Sequence, residues 1–159
     1  MVKFRFFFPP YMFMDLNMLQ KINTKLVKLL VLATLFFTSS VSAEVGQLTN
    51  SQLKQLLAEG VPIIDIRRAE EWRSTGVVED SHLLTFFDAR GRYNMEKWLA
   101  ELDKITNKDE KFILICRSGN RTGQVSNFLD KKLGYQQVYH LQRGIKNWIK
   151  AGDKVVSVK

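Results

Sequence analysis

KFILICRSGNRTGQVSNFLDKKLG, Lys111 to Gly134, is the stretch whose reading decides the fold, and it holds the only cysteine of this 159-residue chain. Phe112 to Ile115 is a short, continuous apolar run, the pattern of a strand buried on both faces. The period then changes. Val125, Phe128, Leu129 and Leu133 recur at helical spacing, which predicts a helix from Thr122 to Leu133 with those residues inward, stopped by Gly134. Cys116 falls at the junction, and Arg117, Ser118, Gly119 and Asn120 separate it from Arg121. A cysteine at the end of an apolar run is commonly a small buried hydrophobe, so a structural reading stands beside any chemical one.

Working outward, strands and helices alternate. Thr49 and Asn50 are capping residues ahead of Leu53, Leu56 and Leu57, with Gly60 as the stop, so a short helix is predicted there. VPIIDI is a buried strand ending at Asp65, and RRAEEWRSTG a helical turn closing at Gly76. HLLTFF is a second strand candidate and DARGRY a polar loop. NMEKWLAELDKI places Met95, Trp98, Leu99 and Leu102 on one helix face. QVYHL is another strand, and GIKNWIKAG a last helix stopped by Gly152. Alternation with continuous apolar strands implies an α/β fold, a central parallel sheet with helices on both faces. Trp72, Trp98 and Trp148 sit at amphipathic positions and read as core.

The first 43 residues read as an address. Lys21, Lys25 and Lys28 precede the apolar run Leu29 to Phe37, and Val41 and Ala43 occupy the small-residue positions of a cleavage site before Glu44. A complete signal begins at Met18, and Pro9-Pro10 breaks any helix upstream of it. The expected organisation is an export signal over 1–43 and one domain over 44–159, periplasmic or secreted. The apolar run is shorter than the ~20 residues that span a bilayer. An uncleaved anchor is the lesser alternative, and no stable membrane insertion is expected after cleavage.

Five of the 24 Lys and Arg and one of the 16 Asp and Glu precede position 44, so the net charge of +8 falls to +4 for the remainder. That excess suits small anions, and no basic stripe interleaved with aromatics points to nucleic acid. One cysteine excludes an internal disulfide and a CxxC pair. With only His82 and His140 present, no metal site is expected.

In doubly wound folds ligands sit beyond the carboxyl ends of the strands, which is where Cys116 falls. A tight loop between strand and helix turns backbone N–H groups inward as an anion nest, and the following helix adds its positive end. Gly119 and Asn120 tolerate the positive φ such loops often need. These surroundings favour a thiolate, the nucleophilic form.

CRSGNRT resembles the active-site loop of rhodanese-like sulfurtransferases, in which a cysteine opens a six-residue loop ending in arginine. DIRRAEEW, Asp65 to Trp72, is similar to that family's DVRxxxEF/W segment. LQRGIKNWIKAG, Leu141 to Gly152, is similar to its closing LxGGIxxWxxAG. The likeness runs from about Leu48 to Val156. Val77, Glu79, Asp80 and Arg143 depart from the family's usual His, Pro, Gly and Gly. None of the four removes the nucleophile.

The resemblance implies a rhodanese-like fold and a two-step transfer without a cofactor. The Cys116 thiolate takes the outer sulfur of a small anionic donor such as thiosulfate, and cyanide or a thiol then removes it from the persulfide. Backbone N–H groups from Arg117 to Thr122 would stabilise the anionic persulfide. Arg117 either draws donors to the mouth or is a solvated cation. Ser118 and Asn120 either bond to the loop or face water, and Arg121 braces it. Asp65 and Arg67 read as loop support rather than catalysis. Glu70 and Glu71, adjacent and so pointing apart on a helix, read as surface charges or partners of nearby arginines. Phosphatases sharing the fold resemble C-x5-R, often with His before Cys, whereas here the spacing is C-x4-R after Ile115. The alternatives in other classes are a non-catalytic rhodanese-like module that binds or carries sulfur, and a thiol redox sensor, the latter disfavoured by the lack of a resolving cysteine.

Overall fold

The computed structural model describes residues 46–158, so the expected export signal, the start at Met18 and the cleavage after Ala43 lie outside the described residues. The elements in chain order are β1 (Gly46–Leu48), α1 (Asn50–Ala58), β2 (Ile63–Asp65), α2 (Ala69–Thr75), β3 (His82–Leu83), α3 (Met95–Leu102), β4 (Phe112–Ile115), α4 (Asn120–Leu133), β5 (Val138–Leu141) and α5 (Gly144–Lys150). The strands form one sheet in the order β1-β5-β4-β2-β3, and every pairing is parallel. Parallel neighbours need crossovers, and the helices supply them while covering both faces.

Strand residues alternate between two cores, as the two-residue period of a strand requires. Ile64, Phe112, Leu114 and Val138 face Trp98 and Leu102 of α3 and Val125 and Leu129 of α4. Ile63, Ile113, Ile115 and Leu141 face Leu53 of α1 and Ile145 and Trp148 of α5. All four residues of β4 are buried, because the strand lies inside the sheet with a helix layer on each side. All three tryptophans are buried.

Four details differ from the pattern read in the sequence. β1 is not expected from it. Three residues carry no usable periodicity, and the strand pairs through Gly46, where any Cβ would collide with the Tyr139 ring. HLLTFF is a strand only over His82–Leu83. Beyond it, Leu84 and Phe86 donate singly to the carbonyls of Asp65 and Ile66 as β2 turns away. α4 begins at Asn120, two residues early, because Gly119 at φ 89° already caps it and the Thr122 hydroxyl donates to the Gly119 carbonyl at 2.9 Å. Asn120 is therefore helical, and only Gly119 of the loop takes a positive φ. Finally, Phe128 is 39 % exposed rather than inward. The buried stripe of α4 is Thr122, Val125, Ser126 and Leu129, and Phe128 lies off its edge.

Candidate active site

Cys116 follows the last residue of β4 and is fully buried. Its Sγ accepts a hydrogen bond from the Gly119 N–H at 3.2 Å and lies 3.5 Å from Thr122 Oγ1. The loop turns its amides this way because its carbonyls are engaged on the other side. Ile145 N–H donates to the Cys116 carbonyl at 2.8 Å, and Lys146 N–H to the Arg117 carbonyl at 3.1 Å. That contact needs close backbone approach. A Cβ on Gly144 would stand 2.6 Å from the Arg117 carbonyl carbon, and one on Gly119 would stand 3.0 Å from the Arg143 nitrogen.

The sequence suggested amides from Arg117 to Thr122 around the sulfur, but the hydrogen bonds to Sγ come down to one amide, that of Gly119, with the Thr122 hydroxyl near by. Ser118 and Asn120 are exposed, and Arg117 is exposed beside the loop. Arg121 forms a two-pronged pair with Glu71 of α2, Nη1 to Oε2 at 2.9 Å and Nη2 to Oε1 at 2.6 Å, and its pKa is raised first by that hydrogen bonding and also by the nearby Cys116 sulfur. Burial of Glu71 pushes its carboxyl up, but the hydrogen bonds from Arg121 and the Arg68 amide, with both positive charges, outweigh it and hold the group below its ordinary value. Glu70, exposed, pairs instead with Arg68. The loop is thus anchored to a segment 50 residues earlier in the chain.

Asp65 and Arg67 form a buried pair, 0 % and 1 % exposed, closed by Nε and Nη2 of Arg67 on the carboxylate at 2.9 and 2.6 Å. Arg67 Nη1 and Nη2 also donate to Thr75 Oγ1 at 2.7 Å and the Gly76 carbonyl at 2.8 Å. With every prong used, Arg67 fastens the β2–α2 loop to the end of α2. A cleft of about 490 Å³ opens beside the site, with Arg67, Glu71 and Thr75 on one wall and Arg117, Ile145 and Lys146 on the other. Arg67 and Glu71 are paired, whereas Arg117 and Lys146 make no ion pair among the described residues.

Of the four departures, two fall on left-handed backbone. Asp80 has φ 61° and Arg143 φ 64°, conformations glycine adopts without a Cβ penalty. Val77 is buried and bridges Val156. Glu79, exposed, pairs with Lys154.

Two neighbours of the site were not singled out by the sequence. Lys146 joins Arg117 in the cleft because α5 docks its first turn on the loop. His140 lies with Nδ1 3.4 Å from Thr122 Oγ1. A signal existed: His140 is near the carboxyl end of β5, which pairs with β4, and residues at that edge converge. His82 is exposed on β3.

Comparison with known proteins agrees with this architecture. A rhodanese-related protein from Thermoplasma volcanium superposes with a TM-score of 0.53 at 25% identity, covering 70% of this chain and 97% of its own. A rhodanese-like domain protein from Staphylococcus aureus gives 0.54 at 24% identity, covering 72% and 99%. A Rhodopseudomonas palustris protein of unknown function, described as a possible tyrosine phosphatase, gives 0.50 at 23% identity over 70% and 85%, a likeness of fold alone. No curated protein matches the sequence. The model of the rhodanese-like domain matches residues 49–151. The chain therefore belongs to the rhodanese-like domain family, a family related to sulfurtransferases.

Proposed function

We infer that the domain is a sulfurtransferase that carries a sulfane sulfur as a persulfide on Cys116. The observation that carries this reading is the N–H of Gly119, the residue that caps α4, aimed at Sγ as a fixed donor for a sulfur anion. A thiolate there attacks the outer sulfur of a donor such as thiosulfate, and cyanide or a thiol later takes that sulfur from the persulfide. Arg117 and Lys146, which line the cleft and make no ion pair among the described residues, suit an anionic donor. The C-x4-R spacing, one residue shorter than the phosphatase pattern, favours sulfur over phosphate. Asn120 and Ser118, exposed, take no part in holding the sulfur, and Asp65 and Arg67 act as support. The export signal read at residues 1–43 would deliver the protein to the periplasm or beyond. Amino-terminal sequencing of the exported protein tests that, with Glu44 expected first.

The complete burial of Cys116 favours a second reading, a non-catalytic module that binds a partner. Mass spectrometry after thiosulfate treatment separates the two. The sulfurtransferase gains the mass of one sulfur at Cys116, loses it on addition of cyanide, and gains nothing as Cys116→Ser. No adduct from any sulfane donor would leave the binding module.

A further inference from the structure

Because Cys116 is fully buried, the proton of its thiol has no direct path to bulk water. One titratable side chain outside the loop is linked to it. His140 Nδ1 is 3.4 Å from Thr122 Oγ1, and that oxygen is 3.5 Å from Cys116 Sγ. Thr122 is fully buried and donates its hydroxyl proton to the Gly119 carbonyl, which leaves a lone pair to accept the thiol proton, and with the ring proton on Nε2 the Nδ1 atom is the acceptor facing the hydroxyl. The two outer contacts are long, as acid–base contacts in a substrate-free site commonly are. His140 as a residue keeps 6 % of its surface exposed. Among the described residues Trp72 Nε1 is the one fully buried, unpartnered side-chain nitrogen or oxygen, and Nε2 of His140 is not of that kind and makes no hydrogen bond there.

The geometry points to His140 as a positioning residue that relays the Cys116 proton to solvent through the Thr122 hydroxyl. The inference rests on the sulfur-transfer reading above. The S–H bond breaks and its proton passes to Thr122 Oγ1. The threonine's own proton, after the hydroxyl rotates away from the Gly119 carbonyl, goes to Nδ1. Nε2 then releases a proton to water, and the imidazole ends neutral. The sulfur keeps the electron pair and bonds to the outer sulfur of thiosulfate, whose S–S bond breaks, and sulfite leaves with that bond's electrons. One thiol and one thiosulfate thus become one persulfide anion, one sulfite and one proton. Burial lowers the His140 pKa from its ordinary 6.5, so the ring is neutral near pH 7 and free to accept.

The test uses the full chain and follows two rates at pH 7, single-turnover loading by thiosulfate and alkylation of Cys116 by iodoacetamide. His140→Leu and Thr122→Val are each expected to slow both rates by about a hundred-fold, the lower end of general acid–base assistance. The double variant should be no slower than the slower single one, because the two act in series. Thr122→Ser should recover most of what Thr122→Val loses, and added imidazole most of what His140→Ala loses. Melting temperatures are taken alongside, and His140→Asn replaces any variant that does not fold, with the same loss expected. Unchanged rates in folded variants, or losses that multiply in the double variant, overturn the relay. A wild-type protein that alkylates but never gains sulfur defeats the transfer reading, and the alkylation arm still decides the relay.

Discussion

The loops leaving the carboxyl ends of β2 and β4 lie side by side on the same edge of the sheet, yet they are built from opposite materials. After β2 the chain spends charge on itself. Asp65 is closed by Arg67, Glu70 by Arg68, and Glu71 reaches across to Arg121. After β4 the loop offers backbone, with Gly119 giving its N–H to the sulfur while the Cys116 and Arg117 carbonyls are held by α5. The charge it contributes to the cleft, Arg117, is left without an ion pair among the described residues. The first loop is a brace and the second a cradle. Internal pairing fixes a loop's shape but leaves nothing to bind with, whereas unpaired donors need a neighbour to keep them in place.

Breaking the brace should give the largest effect on stability. Arg67→Met leaves Asp65 buried without its cation, and loss of one partner of such a pair costs about 3–5 kcal/mol. Urea unfolding measures it, and a loss below about 1 kcal/mol would place the pair among surface ion pairs instead. Glu71→Gln, which cuts the link between the loops, should cost about 1–2 kcal/mol at pH 7, the scale of charge-assisted hydrogen bonds. Its pH dependence follows from the lowered Glu71 pKa. The pair's contribution is complete above the ordinary value of 4.5 and is lost as pH falls through the lower folded value. The stability gap between wild type and Glu71→Gln should therefore be flat near neutrality and shrink in acid, and a gap that widens there would contradict the assignment.

Changes on the cradle side should separate function from stability. Arg117→Glu should lower kcat/KM for thiosulfate by about ten-fold through reversed steering, with unfolding free energy within about 0.5 kcal/mol of wild type. Unaltered donor kinetics would retire Arg117 as a donor-attracting residue. The smallest effect runs the other way. Arg143→Gly removes a Cβ from left-handed backbone, a relief of about 1–2 kcal/mol partly offset by glycine's freedom in the unfolded chain. A net gain of about 0.5 kcal/mol is expected in thermal unfolding. A loss instead would mean that the Arg143 side chain stabilises the fold.

Much of the cradle is legible in the amino-acid sequence. Phe112 to Ile115 announces a buried strand by continuous apolar character, and Gly134 stops a helix whose period is visible from Thr122 onward. The brace is legible only in kind. Asp65 and Arg67 are two residues apart and read as support, but nothing in the spacing tells that Arg67 also binds Thr75 and Gly76. Phe128 is misplaced by its spacing for a related reason, since helical period gives a face and not the angle at which that face meets the sheet.

By itself, then, the sequence determined the order of strands and helices from α1 onward, the parallel sheet they imply and the placing of Cys116 at a strand's carboxyl end. These depend on local period, capping and turn chemistry, which neighbours along the chain encode. Only the tertiary structure decided that Arg121 binds Glu71, that Lys146 shares a cleft with Arg117, and that His140 stands behind Thr122. Each joins residues far apart in the chain, and their distances are set by strand order and helix docking rather than by anything adjacent residues carry. The burial of Cys116 belongs to the same class, because it shares one core with Ile66, Phe86 and Trp98, residues far from it in the chain.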